Sequence, residues 1–200
     1  MSFVGLVLAA GAGRRMGRPK ALLRDEAGTP WVRIAADLLS AAGADEVLVM
    51  LGAQAEQAAD LVPDGAQPVV VPDWEEGISA SVGAGLQAAQ RRAAASGAQP
   101  CGALITLVDL PRMVPEAVAR VLAQPLSPAD LRRASYGGRP GHPVFIGRDH
   151  WAELSGQLRA DIGAREYLRR HGVAHVDCTD LPGGDDIDSL PLPGADAAGG

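Results

Sequence analysis

The chain is short of several things, and each shortage narrows what it can be. Among 200 residues it has two cysteines and few aromatics, at 4%. Cys101 and Cys178 fit no metal-ligand spacing and read as idle thiols of a reducing compartment. With so few rings, the core must be built from Ala, Val, Leu and Ile. No apolar run is long enough to span a bilayer, and the first residues lack a positive region ahead of a short apolar stretch. Neither a signal peptide nor a membrane helix is expected. Excess positive charge is absent too. The net charge of −6 argues against nucleic-acid or anionic-membrane partners and leaves room only for a local cationic pocket. Lysine is the rarest cation: against 17 arginines there is one lysine, Lys20. A compact ammonium and a planar guanidinium are not interchangeable, which marks Lys20 for a specific task.

What is present, 47% hydrophobic and 21% charged residues, suits a soluble cytoplasmic globular protein with a substantial core. Phe3–Ala9 is a continuous apolar run of strand length, as in a central parallel strand. Strands are expected at 46–51, 67–71 and 103–108, separated by helices opening at Thr29-Pro30 and covering 53–61 and 79–95, with a further helix at 115–123. Thr29 offers a capping hydroxyl and Pro30 a first helical residue. This alternation predicts an α/β fold, a Rossmann-like, mostly parallel sheet with helices on both faces. Beyond it, 131–136 and 143–146 read as strands joined by the GGRPGH turn, and 173–176 as a last strand. Short helices are expected over 148–154 and 163–171. The reading is one domain over 1–188, followed by a disordered Pro-, Gly-, Ala- and Asp-rich tail over 189–200.

The first strand runs into Gly11, Gly13 and Gly17, and then Arg14, Arg15, Arg18 and Lys20 crowd together. In open parallel sheets ligands bind beyond the carboxyl ends of the strands. A glycine loop with clustered cations there points to phosphate. Two common phosphate loops do not fit. Lys20 comes three residues after Gly17 and Ala21 stands where a P-loop needs Ser or Thr. The dinucleotide fingerprint needs its third glycine one residue earlier, and the second strand ends Met50-Leu51-Gly52 without an acid for a ribose hydroxyl.

The stretch does resemble the nucleotidyltransferase signature L-A-A-G-x-G-x-R-M-G-x-P-K-x-L-L. Leu8, Ala9, Ala10, Gly11, Gly13, Arg15, Met16, Gly17, Pro19, Lys20, Leu22 and Leu23 stand in place. The resemblance is to MobA-like NTP transferases, and within them to molybdenum cofactor cytidylyltransferases. Further segments extend it across 4–189: Glu76–Ser81 resembles G-M-S-x-S, and Leu107–Pro111 resembles the metal-binding D-x-P motif. Gly141–Val144 resembles G-H-P-V, Asp161–Arg165 the segment G-D-x-G-A-R, and Asp186–Ser189 the segment D-I-D-T. Val71, Ala160 and Ser189 depart from the pattern, standing where Asn, Gly and Thr are usual.

The resemblance implies a nucleotide-diphospho-sugar-transferase-like fold and transfer of a nucleotidyl group, CMP first, from an NTP to a phosphorylated acceptor such as molybdopterin cofactor. Arg15 and Lys20 would touch phosphates, and Asp109 and Asp188 would hold Mg²⁺. Leu8, Ala9, Ala10, Gly11, Gly13, Gly77, Ser79 and Ser81 would line the nucleotide, with Ala10 leaning towards CTP over GTP. A molybdoenzyme or cofactor-delivery protein would be a fitting partner. Plainer readings stand beside these. Asp109 could be a strand-end turn former, Ser79 and Ser81 could cap a helix, and His142 could shape a turn. Some proteins resembling the family are oxidoreductases, so an NAD(P)-dependent reaction is the rival from another class; the same transfer with GTP, or onto a sugar or alcohol phosphate, is the rival within it.

Overall fold

β1 (Phe3–Ala9) is buried along its whole length because strands pair on both sides and helices cover both faces. A computed structural model describes residues 2–123 and 125–187. β1 pairs in parallel with β2 (Glu46–Leu51) and with β4 (Gly102–Leu107), so Leu6 lies between Leu48 and Ile105. The other strands are β3 (Ala66–Val70), β5 (Leu131–Tyr136), β6 (Arg139–Gly147) and β7 (Ala174–Asp177). They complete a seven-stranded sheet of order β3-β2-β1-β4-β6-β5-β7. β6 is antiparallel to β4 and β5, and β7 returns parallel to β5.

Side chains alternate across this sheet with period two. Val7 and Ala9 of β1, with Val47, Val49 and Leu51 of β2, pack under α1 (Trp31–Ala41) and α4 (Pro115–Val121), and Ala58 of α2 (Ala55–Ala59) joins them. Leu6 and Leu8, with Leu48 and Met50, pack under α3 (Ile78–Ser96), α5 (Trp151–Gln157) and α6 (Arg165–Arg170). The doubly covered, mostly parallel α/β sheet is thus the one expected from the alternating pattern.

Two local expectations change. α1 begins at Trp31, because Pro30 is extended and bridges to Arg24; no side chain caps the helix, and the Thr29 N–H instead donates to Asp25. The turn read as GGRPGH shrinks to Gly137-Gly138, both left-handed, and Arg139–His142 extends β6. A two-residue loop with positive φ at both positions matches the twist of the flanking strands. The expected metal ligand Asp188 and the expected tail over 189–200 lie outside the described residues.

Candidate active site

The cleft opens where the chain order reverses. β1 leads to β2 on one side, whereas β4 lies on the other, so the loops after β1 and β4 part and leave a crevice at their carboxyl ends. Its volume is about 420 Å³, and it is walled by Leu8–Arg14 and Lys20, by Leu107–Asp109, and by Trp74, Glu75, Gly77, Ile78, Ser81 and Asp161.

The glycine loop turns back on itself at Gly13, whose φ is 59° and whose added Cβ would stand 2.0 Å from the Arg18 carbonyl oxygen. A 3₁₀ turn, Arg14–Met16, follows, and then a second one, Lys20–Leu22, after extended Pro19. Ala21 and Leu22 are buried and anchor that second turn, which holds Lys20 at the cleft wall. Lys20 Nζ lies 2.7 Å from Asp109 Oδ2, and both side chains keep 16% exposure. The Ile187 N–H donates to the Asp109 carbonyl, which brings the Asp186-Ile187 segment beside the same aspartate. Asp109 Oδ1 is buried and, among the described residues, has no hydrogen-bond partner. A carboxylate with one oxygen paired and one bare invites a further cation, since a buried unsatisfied charge is costly.

α3 aims its N-terminus at the cleft. Gly77 precedes it with φ 104°, and a Cβ there would meet Asp161 Oδ1 at 2.2 Å and the Ala160 backbone at 2.8 Å. The loop carrying Asp161 is therefore seated against the helix start. Ser79 is buried, and its Oγ accepts the Gly163 N–H at 3.1 Å. It fastens that loop and does not line the cleft, whereas Ser81 does. Ala160 holds a left-handed φ of 46°, at the position where the resemblance leads one to expect glycine.

Of the residues singled out in the sequence, Leu8, Ala9, Ala10, Gly11, Gly13, Lys20, Gly77, Ser81 and Asp109 meet in this one cleft. Arg14 lines it, and Arg15, exposed on the same 3₁₀ turn, is not among the wall residues. Sequence reasoning missed Trp74, Glu75 and Asp161 as wall residues. Trp74 carried a signal, as one of three tryptophans in an aromatic-poor chain. The other two, Trp31 and Trp151, are buried in the core.

The profile of the MobA-like NTP transferase domain matches residues 5–176. The chain belongs to this family. Among curated proteins, nicotine blue oxidoreductase of Paenarthrobacter nicotinovorans is 34% identical over 199 residues, covering 93% of this chain and 92% of its own. Among solved structures, Rv0371c of Mycobacterium tuberculosis is 27% identical with TM-score 0.73, covering 95% of both chains. A nucleotidyl transferase of Methanothermobacter shares the fold, with TM-score 0.76 at 20% identity over 94% of this chain and 92% of its own. The mostly parallel sheet described above is thus a fold that this chain shares with nucleotidyltransferases of known structure.

Proposed function

We propose that this MobA-like protein moves a nucleotidyl group, CMP first, from an NTP to a phosphorylated acceptor, for which molybdopterin cofactor is our leading candidate. The observation that carries the reading is the Lys20–Asp109 pair across a glycine-walled cleft, with one Asp109 oxygen bare. An acceptor phosphate oxygen attacks the α-phosphorus. A new P–O bond forms, the bond to the bridging oxygen breaks, and pyrophosphate leaves with the electron pair. The attacker is already anionic, so no general base is needed. The protein aligns the groups and offsets charge. Lys20 neutralises charge on the departing phosphates. Backbone N–H groups of the glycine loop and the start of α3 add positive potential at the same place.

Asp109 Oδ1 fits a hard divalent cation. Among the described residues no group of three His, Cys, Asp or Glu could cage one, so the nucleotide's phosphates and water would complete the shell, as Mg²⁺ favours. When bound, Mg²⁺ would supply charge neutralisation at the phosphates. Asp188 is our second candidate ligand. CTP is preferred over GTP on the Ala9-Ala10 pair of the glycine loop.

A second reading has one observation behind it, the 34% identical oxidoreductase. It would place a reduced nicotinamide cofactor in the cleft. The end of β2, Met50-Leu51-Gly52, offers no acid to a ribose hydroxyl, which counts against it. Calorimetric titration with CTP, GTP, ATP, UTP, NADH and NADPH, each with and without Mg²⁺, decides between the two. Mg²⁺-dependent binding of CTP above the others is expected. Binding of NADH or NADPH alone, insensitive to Mg²⁺, refutes the transferase reading.

A further inference from the structure

A second pocket of about 340 Å³ adjoins the first and shares Leu8, Ile78 and Asp161 with it. Its floor is apolar, made by Ile105, Val144 and Ile146 on the sheet face and by Val82 of α3 above them. Its upper wall is cationic. Arg133 on β5 is half-buried; its Nε is shielded from solvent without a hydrogen-bond partner, and its Nη2 donates to the Gly141 carbonyl at 3.3 Å. Arg165, exposed at the start of α6, lines the same pocket, and among the described residues neither arginine has an ion-pair partner. The two cations share this pocket, and each feels the charge of the other. Burial and the Arg165 charge both lower the Arg133 pKa, and His142 beside them is driven to about 4 by burial and by Arg133, so it stays neutral. Ile162, at the rim, keeps 56% of its surface exposed although it is aliphatic.

Two guanidinium groups lining one pocket are costly when its one carboxylate, Asp161, is ion-paired with neither. An arriving anion removes that cost and fills the open donors of a fork suited to phosphate or carboxylate. We infer that this second pocket is an anion-recognition subsite, in which Arg133 and Arg165 hold the phosphate or carboxylate of a molecule with an apolar body seated against Val82, Ile105, Val144 and Ile162. The inference rests on the transferase reading for one point only: the shared wall at Leu8, Ile78 and Asp161 makes the occupant the acceptor. The residues that select the acceptor are then Arg133 and Arg165, and neither belongs to the glycine loop.

The test is calorimetric titration of the full chain with phenyl phosphate, benzoate and benzyl alcohol. Phenyl phosphate, benzoate or both should bind, with benzyl alcohol at least tenfold weaker, and their relative affinities tell which anion the site takes. Arg133→Met should weaken the anionic probe at least tenfold and Arg165→Gln at least threefold, while CTP affinity in both variants stays within twofold. Lys20→Met, which removes the cation of the glycine-loop cleft, should leave probe affinity within twofold. Equal binding of benzyl alcohol, probe affinity unchanged in Arg165→Gln, or an equal loss in Lys20→Met overturns the inference. Arg165 is exposed, so its variant reports even if Arg133→Met fails to fold. CTP titrations on the same samples keep the two readings apart. Loss of the CTP result sinks the transferase reading while leaving the anion site standing, and loss of the probe result does the reverse.

Discussion

Remove Lys20 and the consequence for Asp109 can be worked out from its surroundings. At 2.7 Å the two charges attract by about 6 kcal/mol at an effective dielectric of 20. Both side chains keep 16% exposure, so most of that attraction offsets the desolvation of two ions. A net coupling of about 1–2 kcal/mol remains. Lys20→Met strips Asp109 of its Oδ2 partner when Oδ1 already has none, and should cost about 2–3 kcal/mol of stability. Asp109→Asn should cost about 1 kcal/mol, since the amide oxygen still accepts from Lys20. The double variant should then lose less than the sum of the singles. Urea unfolding of the four proteins at constant m-value measures this directly. Function should behave differently. On the proposed transferase reading, each single variant should lower kcat/KM for CTP at least tenfold, about 1.4 kcal/mol, and the double variant should not recover, because both groups would contact the substrate. Stability losses that add to within about 0.3 kcal/mol would show that the pair is not coupled. An unchanged kcat/KM in Lys20→Met would remove Lys20 from the site.

Ala160→Gly should raise stability by up to about 1 kcal/mol, since it relieves a left-handed alanine at φ 46° at the cost of a floppier unfolded chain; a lowered urea midpoint would refute this. His142 gives a signed pH effect. Burial, and then the Arg133 charge, hold its pKa near 4, against about 6.5 unfolded. Between those values the unfolded chain binds a proton that the folded chain refuses, so stability falls as pH drops from 6.5 to 4. The loss should be about 1–3 kcal/mol, because the residue is partly rather than fully buried. His142→Gln should flatten the difference between urea midpoints at pH 7 and 4.5, and an unaltered difference would place the effect elsewhere. Trp74 is the one tryptophan on the cleft wall among the described residues. CTP should therefore quench fluorescence in the parent protein and not in Trp74→Phe, while equal quenching in both would put the base away from Trp74.

Much of this protein was determined by its sequence alone, for a physical reason. Parallel strands buried on both faces must be apolar without interruption, so Phe3–Ala9 and 46–51 stand out as strands whatever surrounds them. A glycine loop beside them needs residues that only a few phosphate chemistries demand at that spacing, so Lys20 and Asp109 could be picked out although 89 positions separate them. Their meeting at 2.7 Å had to await the fold, because pairing of β1 with β4 is what brings the two loops together. Local signals failed where a tertiary contact outweighed them. Thr29-Pro30 looked like a helix cap, yet a bridge to Arg24 claims Pro30. Ser79 read equally as a cap or a ligand residue, and in the fold its hydroxyl oxygen accepts from the Gly163 N–H. Arg15 matched the motif, and the fold sets Arg14 beside it at the cleft wall. Arg133 had no sequence mark at all. It reads as one arginine among many on a strand, and its meaning comes from β6 inserting between β4 and β5, which sets Arg133 and His142 over an apolar floor and opposite Arg165. Sequence carries the periodicity of elements and the spacing of a contiguous motif; only the folded chain decides which charges from distant segments face each other without a partner.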